Sequence, residues 1–404
     1  MFVKLTKLFV CALVASLAGP VTSSIAQKAG QVSEIKIGNV SAYSGPASAF
    51  SIIAKTEQAY FRMINDRGGI SGRTINFISY DDGYSPPKAM EQTRKLVESD
   101  DVLLVFNALG TASNSATQKY LNGKKIPQLF VATPADKWND PHRFPWTMGF
   151  QPSSRGVARV FAKYILENKP DAKVAILYQN DDFGKDYLAG IRDVFGEKAS
   201  SLIVAESGYE ISEPTIDTHI VTLKASGANV FINAGLPKFA AQAIRKAAEI
   251  QWKPLQLLSD VSVSIGAVIK PAGIDNAEGI ISASYLKDAS DEQWKDDAGT
   301  RKFLQFIEKY MPGANLADMG IAYGYSAAQT MVHVLEQCGN NLSRDNIRKQ
   351  AANLRDFSPD MLLPGIKVST SESDFAPIKQ LRMMQFRAGK WNLLDGIASA
   401  EIKR

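Results

Sequence analysis

Apolar and polar positions along the chain follow two alternating patterns. Residues 34–40 (EIKIGNV) alternate as a short strand and end in a turn. Residues 48–69 space their apolar side chains three and four apart, which predicts a helix that Gly68-Gly69 ends. A strand over 74–82 follows, then a helix over 85–99 with prolines in its first turn. Next come a strand over 102–107, a helix from about 112 to 123 and a strand over 126–131. The last two strands are almost wholly apolar. A strand apolar on both faces is covered on both faces, which predicts a parallel sheet sandwiched by helices.

The pattern restarts after residue 150. Helices over 155–169, 182–198, 216–227 and 237–251 alternate with strands over 173–180, 202–210, 229–235 and 254–260. These are two successive βα arrays, each about as long as a compact domain. FPWTMGFQPSS (144–154) reads as the segment crossing between them. The tail predicts helices over 291–311, 316–338 and 343–354. Three strand-like pieces follow: GIKVS (365–369), QLRMMQFRAG (380–389) and KWNLLD (390–395). A tail that is helical and then β is expected to supply both halves.

The N-terminus breaks this pattern. Lys4 and Lys7 precede an apolar run, Leu8 to Leu17, and Ser24-Ile25-Ala26 forms a small-x-small cleavage signal. Residues 1–26 therefore read as a secretory signal that directs the chain to the periplasm. Cys11 lies inside the run, so only Cys338 remains after cleavage and no internal disulfide is expected. Helical spacing marks Cys338 as a small core residue. No later segment has 18 consecutive apolar residues. The net charge of +5 is scattered among acidic residues without a run of like charges, which gives no reason to assign a nucleic-acid partner.

The candidate chemistry lies where strands end. The apolar runs 102–107 and 126–131 empty into loops of small residues, GTASNS (110–115) and TPAD (133–136). In open α/β sheets, ligands sit beyond the carboxyl ends of the strands. The first residues of a helix have free N–H groups and a partial positive charge. With the hydroxyls of Thr111, Ser113 and Thr133, such loops hold a carboxylate without a counter-charge. Ser44 and Gly45, after the first strand, are groups of the same kind at the same edge. Catalytic patterns are not found. No G-x-x-x-x-G-K-[ST], G-x-G-x-x-G after a strand, H-E-x-x-H, C-x-x-C or G-x-S-x-G occurs. His142, His219 and His333 have no metal-ligand spacing. Asp81-Asp82 and Asp181-Asp182 stand at strand ends, where solvated or capping carboxylates are common. No cofactor and no metal is expected.

IKIGNVSAYSGPASAF, INDRGGISGRTINFISYDDGYSPPKAMEQTRKLV, GTASNSATQKYLNGKKIPQLFVAT and AILYQNDDFGKDYLAG resemble the periplasmic leucine/isoleucine/valine-binding protein family. These are solute receptors of branched-chain amino-acid ABC importers, with relatives that bind amides, urea and aromatic acids. The resemblance covers essentially residues 32–400. It implies an α/β fold of two Rossmann-like lobes, parallel sheets flanked by helices, joined by three hinge crossings: the type I periplasmic binding protein. The crossings would fall near 147–153, 279–286 and 361–368. Lobe I would then hold residues 32–150 and 283–361, and lobe II residues 151–282 and 362–404. The lobes would close on the ligand by a hinge.

The same resemblance implies site residues. The ligand carboxylate would be held at Gly110 and Thr111 and at Thr133 to Asp136, including Ala135. Phe50 and Phe183 would line the cleft, with Trp138 as a further flat wall. Leu236 stands where amino-acid receptors often carry a tyrosine. The glutamate that holds an α-ammonium falls near Val261, next to Asp260. With Val261 there, a ligand ammonium would be buried without a partner at a cost of several kcal/mol. That favours a small organic acid without the amine, either aromatic or keto. With Asp260 there, an amino acid remains possible. The implied partner is an ABC permease in the inner membrane, and the receptor is expected as a monomer. An exported hydrolase would need a positioned nucleophile, base or metal, and none is visible. A sensory ectodomain would need a membrane span, and the chain ends at GIASAEIKR.

Overall fold

The computed structural model describes residues 34–401, so the signal segment read over residues 1–26 lies outside the described residues. Thirteen strands are placed: β1 (Ile35–Ser41), β2 (Ile75–Asp81), β3 (Leu104–Phe106), β4 (Gln128–Val131), β5 (Thr147–Gly149), β6 (Val174–Gln179), β7 (Ile203–Tyr209), β8 (Val230–Ala234), β9 (Leu255–Leu258), β10 (Ile281–Ser284), β11 (Gln380–Arg387), β12 (Lys390–Leu393) and β13 (Ala398–Ser399). The α-helices are α1 (Ser51–Asp66), α2 (Pro86–Glu98), α3 (Thr111–Gly123), α4 (Ser154–Asn168), α5 (Asp182–Phe195), α6 (Ala199–Leu202), α7 (Asp217–Ala225), α8 (Pro237–Glu249), α9 (Lys270–Ala272), α10 (Ala298–Tyr310), α11 (Met319–Gln337) and α12 (Arg344–Ala351).

Two sheets carry the molecule. The first has the order β2-β1-β3-β4-β5 and is parallel throughout. The second runs β12-β11-β10-β9-β8-β6-β7. Its parallel part, read from β7 to β10, repeats the 2-1-3-4-5 winding of the first. β11 and β12 add to it antiparallel. Each sheet therefore has a point where the strand order reverses, and ligands of doubly wound folds sit at that point. The half built on the first sheet is lobe I below, and the other half is lobe II.

Helix α1 buries Ile53, Ala54, Ala59, Tyr60, Phe61 and Met63 and packs along α11. The approach is close: a Cβ on Gly324 of α11 would stand 2.7 Å from the Ile53 carbonyl oxygen. An aromatic chain, Phe61 to Phe106 to Phe130 to Phe150, runs through the lobe I core with ring centroids 5.5–6.5 Å apart. Each such ring contributes about 1.5–3 kcal/mol by burial. Cys338 is buried in this core, as its spacing predicts.

Three readings of the sequence are corrected. Thr147–Gly149 is an edge strand, too short for alternation to reveal, and the crossing follows it. Ile281–Ser284 also lies in sheet two before its crossing begins. GIKVS makes only one bridge, Phe357 to Val368, because the chain turns at Gly365 (φ +86°). There the second and third crossings run antiparallel: Lys287 N–H donates to Met361 O at 2.8 Å and Leu363 N–H to Tyr285 O at 2.9 Å.

Candidate functional site

The residues that follow β1, β3 and β4 in lobe I, and β6, β8 and β9 in lobe II, line one cleft. It has two adjoining pockets that share Phe50, Ile53, Gln151 and Val261. The near end collects Gly110, Thr111 and Thr133 from lobe I with Phe183 and Leu236 from lobe II. The far end collects Asp260 and Ser264 from lobe II, Asp318 and Tyr323 from lobe I, and Tyr285 beside the second crossing.

Gly110 is the residue before α3, with φ +93°. A Cβ there would stand 2.4 Å from the Tyr84 ring, so both the backbone angle and the space require glycine. The turn brings the start of α3 to the near end of the cleft, where the Thr111 N–H bonds the Tyr84 hydroxyl. The hydroxyls of Thr111 and Thr133 are bonded to each other, and both side chains are buried at the near end. Two loops that are distant in sequence thus form one small polar patch.

Tyr84 was not singled out in the sequence. Its backbone is left-handed (φ +60°), uncommon for a bulky residue and concentrated at functional sites. Burial raises its hydroxyl, while the Gln179 side chain of lobe II and the Thr111 N–H act in the opposite direction. Tyr84 therefore spans the cleft beside the threonine patch.

Phe183 lies in the first turn of α5, whose N-terminus Asp181 caps by accepting from Gly184 N–H at 3.2 Å. Its ring packs edge-on against Tyr187. Tyr187 donates to Asp260, which burial pushes up to about 6. Both Asp260 and Val261 line the cleft, so the aliphatic residue does not replace the acid there. No cation pairs with Asp260 among the described residues. Leu236 forms apolar wall, and its N–H is held by the Tyr209 hydroxyl at 3.0 Å.

Four expected site residues stand elsewhere. Ser44 is exposed, and its hydroxyl donates to Asp81 at 2.6 Å; Asp81 also accepts from the N–H groups of Tyr43, Ser44 and Gly83. Ala135, Asp136 and Trp138 line a neighbouring groove with Asp374, Phe375 and Lys379, which meets the cleft at Thr133 and Gln151. Trp138 is buried with Val131 and Ala135, beside Gly149. Ser113 has spent its proton on Asp82, at 2.7 Å.

The lobes touch across the cleft mouth. Lys137 pairs with Asp182 at 2.9 Å, and Asp136 N–H donates to Asp186 at 2.6 Å. Burial pushes Asp186 up to about 7. Deeper in, Gly266 N–H donates to Ala317 O at 3.0 Å. Sequence reasoning missed Gln151, Tyr285 and Asp318 as well. Gln151 and Tyr285 fall inside the crossings that the resemblance implied, and Asp318 caps α11.

Among the described residues no group of three or more potential metal ligands occurs, and no helix is long and apolar enough to cross a membrane. A family model described as periplasmic binding protein matches residues 34–390. The Leu/Ile/Val-binding protein of Escherichia coli K12 is 25% identical over 258 residues, 61% of this chain and 66% of that relative. Less than two thirds of that relative's length is therefore spanned. The Leu/Ile/Val-binding protein homolog 1 of Brucella suis is 23% identical over 312 residues, 74% of this chain and 77% of the relative. Among solved structures, a branched chain amino acid ABC transporter protein from Thermus thermophilus with bound valine superimposes with TM-score 0.81 at 18% identity, covering 91% and 96% of the two chains. A fatty acid ABC transporter substrate-binding protein from Thermomonospora curvata gives 0.78 at 20% identity, covering 91% and 92%.

Proposed function

The chain belongs to the periplasmic binding protein family, and we propose that it is the solute receptor of an ABC importer. In this reading residues 1–26 direct it to the periplasm and are removed. Lobe I comprises residues 32–150 and 283–361, and lobe II residues 151–282 and 362–404. A single copy captures a small carboxylate in the cleft and delivers it unaltered to a membrane permease.

One observation carries the carboxylate: the Thr111 and Thr133 hydroxyls meet beside the start of α3 at the near end of the cleft. Uncharged donors and a helix N-terminus are an anion site in low dielectric. Phe50, Phe183 and Leu236 supply apolar walls for the carbon skeleton. Relatives named for leucine, isoleucine and valine, and a neighbour named for fatty acids, have solutes whose shared group is a carboxylate.

Asp260 bears on the class of solute. A half-buried carboxylate without a cationic partner favours a solute that brings an amine. An amino acid is therefore the preferred ligand. The aromatic or keto acid is the second reading, favoured by the faces of Phe50, Phe183 and Val261 around the same space.

Mass spectrometry of whatever leaves the purified protein on denaturation tests the proposal. The expected result is a small acid, chemically unchanged after prolonged incubation with fresh protein. A solute without an acidic group sinks the carboxylate reading; a product of altered mass gives the cleft to an enzyme.

A further inference from the structure

We propose that Tyr84 is a further solute-binding residue, whose hydroxyl donates to the solute carboxylate at the near end of the cleft while both lobes hold it in place. The inference rests on the receptor reading above and adds to it the residue that ties capture of the acid to closure.

Tyr84 stands in the turn between β2 and α2, and its ring has little freedom. Its backbone is left-handed (φ +60°), a strained state for a bulky residue. The ring lies so close to Gly110 that a Cβ there would meet it at 2.4 Å, so the ring fits only because residue 110 is glycine. Tyr84 is buried, and it lines the near end of the cleft with Gly110, Thr111 and Thr133.

The hydroxyl stands between the lobes. From lobe I, the N–H of Thr111, the first residue of α3, donates to it. From lobe II, the Gln179 side chain donates to it. Gln179 is itself fixed: its Nε2 also donates to Asp181 at 2.6 Å, and its Oε1 accepts from the Tyr209 hydroxyl at 3.4 Å. Both bonds that reach the Tyr84 oxygen are incoming, so its own proton is left for the cleft. Burial raises the phenol, so that proton is retained. Two incoming donors polarise the O–H and make it a better donor to an anion. A carboxylate set between Tyr84 and the paired hydroxyls of Thr111 and Thr133 then meets uncharged donors from three loops. When the lobes part, Gln179 leaves with lobe II and the hydroxyl loses one of its two supports. The bond to the acid is therefore strongest in the closed form.

Calorimetric titration of the mature protein with L-leucine and with 4-methyl-2-oxopentanoate, which share the carboxylate but not the amine, tests the inference. Tyr84→Phe keeps the ring over Gly110 and removes the hydroxyl. It should weaken both acids about tenfold or more, as loss of one charge-assisted hydrogen bond does. Gln179→Leu removes the lobe II donor. It should weaken both acids when Tyr84 is present and add nothing to Tyr84→Phe, so the two losses are not additive. Wild-type affinity in Tyr84→Phe, or losses that simply add, overturns the role of Tyr84 and leaves the carboxylate receptor standing. Binding of neither acid by the folded wild type overturns both.

Discussion

Tyr187 donates its hydroxyl proton to Asp260 Oδ1 across 2.9 Å, and the same ring stands edge-on to Phe183, 5.6 Å away. The aromatic wall and the acid of lobe II are thus one packed unit. Tyr187 is fully buried and also reaches the Ser259 hydroxyl at 3.0 Å, so the acid's position is fixed from behind.

If the solute brings an amine to Asp260, that relationship should make its binding depend on pH. Burial pushes Asp260 up to about 6, and the Tyr187 bond acts to lower it. The attractive charge is present above that value and lost as the acid protonates below it. Tyr187→Phe removes the lowering bond, so the affinity ratio of wild type to variant should be larger at pH 6 than at pH 8. Calorimetry at both values checks it; a ratio that does not change with pH separates Asp260 from solute binding.

Thr111→Val should weaken carboxylate binding by ~1.5–3 kcal/mol, the worth of one hydrogen bond to a charged group. Thermal stability should change little, because the remaining Thr133 hydroxyl lies at the cavity and can be solvated. An unaltered dissociation constant would remove Thr111 from the site.

In the receptor reading, closure of the lobes should carry a proton. Asp186 accepts from Asp136 N–H across the lobe junction, and burial pushes it up to about 7; Asp136 and Asp182 add to the rise and Arg155 opposes it. Opening the lobes would break the Asp136 contact, rehydrate Asp186 and return it toward an ordinary carboxylate. The closed form then binds the proton more tightly, so closure is favoured in acid and loses that advantage as pH rises toward 7. Asp186→Asn removes the titration. Its affinity relative to wild type should increase between pH 5 and pH 8, measured with one solute throughout. A constant ratio would assign the pH dependence to other groups.

Glu57 is fully buried on α1, and neither carboxylate oxygen has a hydrogen-bond partner. Burial raises it well above its ordinary value of 4.5, so the folded chain keeps the proton and the unfolded chain releases it. Stability from this group is complete below the ordinary value and declines as pH rises toward the folded one. Glu57→Gln should therefore be more stable than wild type at pH 8 by ~1–3 kcal/mol and nearly equal at pH 4.5. Urea melts at the two pH values measure it; an equal difference at both would show that Glu57 is not the proton carrier.

The near end of the cleft was legible because its elements are local. Gly110, Thr111 and Thr133 follow apolar strands directly, and the winding of a parallel sheet brings such loops together. Ser44 fits the same pattern. It is lost to the site because the β1–β2 register sets Ser41 opposite Asp81, whose carboxylate takes the hydroxyl. That pairing is invisible along one strand. Trp138 reads as a cleft wall, but it is buried with Val131 and Ala135 beside Gly149 and lines the neighbouring groove. Tyr84 looks like a turn residue after Asp-Asp-Gly, and only its left-handed backbone turns the ring into the cleft. The far end was hardest to foresee. Tyr285 and Asp318 belong to a crossing and to a helix cap, roles that sequence patterns treat as purely structural.

The second and third crossings also govern the order in which the molecule is finished. α10, α11 and α12 reach lobe I only after the parallel strands of lobe II, and β11 and β12 return to lobe II after that. A nascent chain leaving the ribosome therefore carries an exposed flank of α1 until α11 arrives, and an unpaired β10 edge until residues 380–387 emerge. Neither half can seal early. Such long-range closure is slow to form, so both halves wait on the last quarter of the chain before they are complete.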